Sequence, residues 1–231
     1  MRSLAFLALV AACASGGDDY PITTQGGAAP GGGGGSASVI VGRVCVLTDP
    51  RNFASCITVG AESLTVTVGH QVTTTAPDGS FVINTPTTTA STVTVSGTGI
   101  IPSSQALTPS VLVPVLREDL FTRILAANGI TLTPGSGSIM AAIVRGGQPV
   151  SGATVTSTPS PAFGPFFDGT TPTAWTLDGT GAEGVAFLPG FTPTSGGVNL
   201  TFTDAATSSE TTVGGVQVID GGLTFVEGIL P

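Results

Sequence analysis

Apolar and polar residues alternate with a period of two through much of this chain, and valine and threonine carry the alternation. Residues 63–68 read SLTVTV and residues 91–96 read STVTVS. Successive side chains of a strand point to opposite faces, so such runs describe half-buried strands and not amphipathic helices. A β-branched run at 38–47 (SVIVGRVCVL) precedes them. A strand–turn–strand unit follows, in which 72–75 (VTTT) joins 81–83 (FVI) through 77–80 (PDGS). Its Asp-Gly pair supplies the positive φ that a tight connection needs. The 34 glycines and 17 prolines punctuate the rest as turns and a tail. Short strands at this spacing argue for an antiparallel sandwich and against βαβ units.

The same order returns about a hundred residues later. Residues 137–144 (GSIMAAIV) answer the first strand and 152–156 (GATVT) the second. Residues 176–187 (TLDGTGAEGVAF) match 75–81 (TAPDGSF), and 198–202 (VNLTF) match 93–95 (VTV). An internal duplication follows from that order. Each half closes on further apolar strands, at 111–115 and at 213–219 with 223–229. Between the halves, Leu116, Leu120, Phe121, Ile124 and Leu125 recur at helical spacing, and Asn128-Gly129 is a C-terminal stop. This predicts an amphipathic connector packing across one or both sandwiches; a partner-binding helix is the sharper reading.

Residues 147–155 (GQPVSGATV), followed by a turn and an aromatic strand, resemble the carboxypeptidase regulatory-like, or prealbumin-like, β-sandwich domains. The first half keeps TAPDGSF at 75–81 but lacks the Pro-Val-Ser-Gly-Ala element. The resemblance implies small, Ig-like, non-catalytic sandwiches. The expected architecture is therefore all-β, with two tandem Ig-like or prealbumin-like antiparallel β-sandwiches at 38–115 and 134–231. A helical connector at 116–133 joins them, and a disordered Gly-rich tether at 13–37 precedes them.

Residues 1–12 carry Arg2, an apolar run at 4–10, and then Ala11 and Ala12, the layout of a secretory signal peptide. The run is too short to cross a bilayer, which takes roughly 20 apolar residues. LVAAC at 9–13 resembles the bacterial lipoprotein lipobox. That resemblance implies a diacylglycerol on the Cys13 thiol and a cleavage that makes Cys13 the first residue. An ordinary signal peptide with a cysteine after the cut is the plainer alternative. Residue 14 is Ala and not the Asp that, in the enterobacterial sorting pattern, retains a lipoprotein in the inner membrane, so delivery to the outer membrane is expected. Residues 14–38, with Gly31 to Gly35 in a row, cannot bury enough apolar surface to fold and suit a flexible tether.

All six cationic side chains are arginines and the net charge is -8. Nucleic-acid binding rests on neutralising phosphates, and recruitment to anionic lipid rests on a polybasic segment, so both are excluded. The expected partners are the membrane, through the N-terminal lipid, and an envelope protein or polysaccharide. With Cys13 given to lipid, Cys45 and Cys56 are the remaining pair in an exported chain, where oxidation is permitted. A disulfide closing the first hairpin is expected, with two free thiols as the alternative; the spacing lacks a second pair for zinc.

His70 sits in a turn with no placed carboxylate or nucleophile, and no G-x-S-x-G elbow occurs. Without lysine no Lys–Asn isopeptide crosslink can form. Asp178 and Glu183 flank a Gly-rich turn and could meet calcium, but lack the carboxylate density of a dedicated loop. The stretch 159–168 (PSPAFGPFFD) brings Phe163, Phe166 and Phe167 near Trp175. Exposed, these four would form a platform for a sugar or a partner; folded down, they would be a lid over the sandwich end. The expectation is a non-catalytic, lipid-anchored cell-envelope protein without cofactor, in a structural or protein-interaction role. A carbohydrate-binding or adhesion module using the loop at 163–175 is the alternative.

Overall fold

The computed structural model describes residues 37–53, 55–86, 92–108 and 111–231. The expected signal peptide, the Cys13 lipid site and nearly all of the expected tether lie outside the described residues. The alternating runs of the first half become β1 (Ala37–Leu47), β2 (Cys56–Ile57), β3 (Thr65–Val68), β4 (Gln71–Thr74), β5 (Ser80–Pro86), β6 (Thr92–Ser96), β7 (Ser103–Ala106) and β8 (Val111–Val115). One helix follows, α1 (Glu118–Ala127). The second half supplies β9 (Gly137–Arg145), β10 (Gln148–Pro149), β11 (Ala153–Thr158), β12 (Phe166–Thr171) and β13 (Ala174–Thr176). It ends with β14 (Val185–Phe191), β15 (Val198–Asp204), β16 (Glu210–Val216) and β17 (Leu223–Ile229).

Three sheets result. β1 pairs with β2, β5 and β8. A ten-stranded sheet runs β13-β12-β14-β9-β17-β7-β6-β3-β4, with β10 on β9. The third is β11-β15-β16.

The period of two sets which residues are buried. Val66, Val68, Val93 and Val95 turn inward and the threonines between them turn outward. The valines meet Val44, Val46, Phe81, Val111 and Val113 of the first sheet to form one core. At the other end, Ile139, Ala141, Ile143 and Leu188 face Val155, Leu200 and Phe202 of the three-stranded sheet. The alternate residues Met140, Val185, Phe187, Leu223 and Phe225 face the opposite way. There they pack under Leu120, Phe121 and Ile124 of α1, with Leu47 and Trp175. Buried on both faces, this part of the sheet reads as continuous apolar runs such as VAFL at 185–188.

Asp119 and Glu118 occupy the positive end of the α1 dipole. The helix stops at Asn128, whose Nδ2 donates to Ile124 O at 2.8 Å and to Thr173 O at 3.1 Å.

Not every pairing is antiparallel, as the short-turn spacing had suggested. β8 runs parallel to β1, and β17 runs parallel to both β9 and β7. Hairpins enforce antiparallel neighbours, whereas these pairs join strands linked by long connections. Because β17 lies between β9 and β7, strands from both halves share one sheet. The described residues form one compact unit.

Candidate functional site

Between β1 and β2 the chain makes a short strap. Cys45 and Cys56 close its base in a disulfide with Cα atoms 5.3 Å apart. β2 contributes only two ladder positions, Val46 opposite Ile57 and Leu47 opposite Cys56. The Ser55 hydroxyl accepts from Asp49 N at 3.0 Å and donates toward Asn52 O at 2.7 Å, tightening the turn.

At its tip, Arg51 grips Asp49 with Nε and Nη2, at 2.9 and 2.6 Å. Its Nη1 donates to Gly169 O at 2.7 Å, in the opposite half of the chain. Burial pushes the Asp49 carboxyl up, but the side-chain and backbone hydrogen bonds and the charge of Arg51 outweigh it and hold it below the ordinary carboxylate value. The Asp49 hydrogen bond correspondingly raises Arg51. Phe53 completes the attachment, edge-on to Phe225 with ring centroids 5.2 Å apart.

Gly169, which receives Arg51, follows a buried carboxylate. Asp168 Oδ1 accepts from Gly181 N and Val185 N, and Oδ2 from Glu183 N, each at 2.9 Å. These bonds fasten the loop before β14 to β12. The turn holding Asp178 and Glu183 therefore uses Glu183 through its backbone, and Asp178 stands exposed.

A second polar cluster lies on the same half. The nearly buried Asp204 accepts from Arg145 Nη1 at 2.7 Å, Ala206 N at 2.8 Å and Thr207 Oγ1 at 2.9 Å. The backbone bond from Ala206, then those from Arg145 and Thr207, hold its carboxyl below the usual value. Arg145 also donates from Nε to Pro231 O at 2.9 Å, fixing the end of the described chain.

The strap forms one wall of a groove of about 920 Å³. Among the described residues, Arg51 and Phe53 line it together with Leu112 and Pro114 of β8, Val144 of β9 and Val213 of β16. Glu183 and Glu227 give its rim a negative charge.

The residues singled out in the sequence do not gather there. His70 is exposed in the turn between β3 and β4. Phe167 belongs to the core under the three-stranded sheet, at 2 % exposure. Trp175 is 8 % exposed and lies against Phe187, with ring centroids 5.7 Å apart. Phe163 and Phe166 are half-buried against the same cluster. Trp175, Phe163 and Phe166 thus turn toward the face of the sheet beside α1, which needs apolar cover, while Phe167 turns into the core on the other face. Arg51, Asp168, Arg145 and Asp204 escaped the sequence reading. One signal was available: with six arginines and no lysine, each cation is an unusual investment in this chain.

No family model matches the sequence, and no curated protein matches it. Among solved structures, the chain is similar to the TIE protein of Bacillus anthracis at 12% identity and a TM-score of 0.24, over 73% of this chain and 31% of that one. It is similar to a proposed cell adhesion protein of Bacteroides ovatus at 10% identity and 0.24, over 83% and 92%. It is similar to the major pilin of Streptococcus pyogenes at 6% identity and 0.18, over 85% and 100%. The chain spans about a third of the length of the first of these. Likenesses at such scores carry no argument about what this chain does.

Proposed function

We propose that this chain is a non-catalytic cell-envelope protein, held by lipid on Cys13 and displaying its β body in a structural or protein-interaction role. The observation that carries the reading is the use made of buried polar groups. Thr75, Thr180 and Asp168 are spent on backbone N–H and C=O groups, and Asp204 on Arg145 and its own turn. Groups so satisfied hold strands and loops in register; they are not poised to exchange protons or bind a substrate. The lipobox-like motif at 9–13 and the Gly-rich stretch behind it support the address, an outer membrane with the body held off its surface.

Metabolic labelling with radioactive palmitate tests the address. The chain expressed with its leader in a Gram-negative host should take up label and sediment with membranes, and Cys13→Ser should do neither. Equal labelling of both chains, or recovery of the parent chain in the soluble fraction, would overturn the reading.

A further inference from the structure

We propose that the groove is an acceptor slot for an extended peptide of a partner protein. The peptide pairs with the open edge of β17 and carries apolar side chains on one face and a lysine or arginine on the other. The inference deepens the protein-interaction reading above and rests on it, and it does not use the Cys13 anchor.

The open edge follows from the strand pairing. β17 pairs with β9 along its whole length, Leu223 to Ile229, but with β7 only from Leu223 to Phe225. β7 ends at Ala106, and among the described residues no strand pairs with Val226–Ile229 on that side. Along a strand inside a sheet, the N–H and C=O of successive residues point to opposite neighbours. Leu223 N donates to Pro102 O, just ahead of β7, and Leu230 N donates to Val144 O of β9, both at 2.8 Å. Odd-numbered residues of β17 therefore serve the β7 side. Past Phe225, the N–H and C=O groups of Glu227 and Ile229 point into the place that β7 has left. The groove reaches this edge, because Thr224, Phe225, Val226 and Glu227 line it in succession. Successive side chains stand on opposite faces, so a groove that touches all four passes around the edge of β17.

The two faces of the slot differ in character. Val226 packs with Val213 on the side of the three-stranded sheet, so a strand laid in the slot needs apolar residues there. Glu227 belongs to the opposite face and is exposed. Each of the five arginines among the described residues forms its salt bridge with an aspartate, none with Glu183 or Glu227. Arg51 lines the groove, but Asp49 meets its charge. The charge left at the rim is negative and calls for a cation. A second copy of this chain fits poorly, since it brings the same carboxylates and has no lysine. Four residues of open edge span about 13 Å, enough for a short extended segment. Main-chain bonds to Glu227 and Ile229 would give the affinity, and the alternating side chains the choice of partner.

Two fluorescein-labelled hexapeptides, TVKVTV and TVEVTV, test this against the full chain by fluorescence anisotropy. In each, the valines share one face and the charged residue stands on the other. TVKVTV should bind saturably and about fivefold more tightly than TVEVTV, as expected for a charge pair across adjacent strands. Glu227→Lys should reverse that preference, and its binding of TVEVTV shows that the variant is folded. N-methylation separates edge pairing from side-chain contact. TVKVTV is methylated either on the amides of its three valines or on those of its lysine and second threonine. One of these peptides should lose affinity by about tenfold or more, because its alternate amides face β17, while the other keeps it within about twofold. The slot is overturned if TVKVTV does not bind saturably, if both methylated peptides bind alike, or if Glu227→Lys leaves the preference unchanged. Palmitate labelling at Cys13 is read separately, so a failed slot leaves the envelope address standing and a failed address leaves the slot standing.

Discussion

Thr75 and Thr180 make the same four hydrogen bonds in opposite halves of the chain. Thr75 N donates to Leu64 O, and Thr75 O accepts from Ser63 N. Its hydroxyl accepts from Leu64 N and donates to Ala61 O. Thr180 repeats this with Ala153 O, Gly152 N, Ala153 N and Val150 O. In both places a buried threonine lying between two strands substitutes its side chain for a backbone partner. Without the hydroxyl, each of the two backbone groups it serves would be buried without a partner.

Removing only the hydroxyl should therefore destabilise either half. Thr75→Val and Thr180→Val keep the shape but leave a buried N–H and a buried C=O unpaired. A loss of about 1–3 kcal/mol is expected from each. The two sites share no partner, so the double variant should lose nearly the sum. Urea denaturation of the three variants measures this. A double variant no weaker than either single would show that the two threonines do not do equivalent work.

Phe187 is the side chain on which the third core turns. Its ring meets Phe121 of α1 edge-on at 6.0 Å and Trp175 at 5.7 Å. Phe187→Ala should lower stability by about 3–5 kcal/mol, through lost burial and the cavity left behind. Trp175 is the only tryptophan, so its emission reports this site alone. The variant should shift that emission to the red as water reaches the indole, and an unshifted spectrum would mean that α1 collapses to fill the space.

Much of the fold was legible because its cause is local. The Val-Thr alternation of β3 and β6 gave both the strands and their buried faces, and Asn128-Gly129 gave the end of α1. The threonine that matches Thr75 was not legible in register. The sequence pairs Thr176 with Thr75, whereas the hydrogen bonds pair Thr180 with it. Threonine is so common in this chain that the one whose hydroxyl replaces a backbone partner cannot be told from its neighbours. The parallel placement of β17 between β9 and β7 depends on contacts across the whole chain, which no local period encodes. The inward turn of Trp175 follows from a sheet face that exists only after folding.

Acid should weaken the protein through carboxylates whose native values lie below their unfolded ones. Asp49 and Asp204 are both lowered, by the bonds to Arg51 and to Ala206, Arg145 and Thr207 respectively. A carboxylate lowered in the folded state binds fewer protons there than in the unfolded chain. Its stabilisation is thus complete above the ordinary Asp range of about 4 and is lost as pH falls through the folded value. Asp78 and Asp119 are lowered too, but their exposed pairs with Arg43 and Arg117 are screened and add little. Denaturation midpoints should be flat from pH 7 to about 5 and fall below about 4. Asp204→Asn should reduce that fall, and a variant with the parent's full acid dependence would remove Asp204 from the account.

Gly79 and Gly184 test the duplication at the backbone. Val44 N donates to Gly79 O at 2.8 Å, and Ile143 N to Gly184 O at 2.7 Å, the same crossing in each half. Both glycines have positive φ, 78° and 66°. A Cβ on Gly79 would collide with Val44 O, and one on Gly184 would come within 2.8 Å of Ile143 O. The left-handed conformation alone should cost about 1–2 kcal/mol for alanine. The collision with a carbonyl adds to that, because a backbone oxygen in a paired strand cannot rotate away as a side chain can. Gly79→Ala and Gly184→Ala should therefore each lose more than about 2 kcal/mol, with a larger loss at Gly79, where the approach is closer. Thermal or urea unfolding measures both. A Gly79→Ala protein as stable as its parent would mean that the β1 crossing is free to shift, and the two halves would then not share one backbone design.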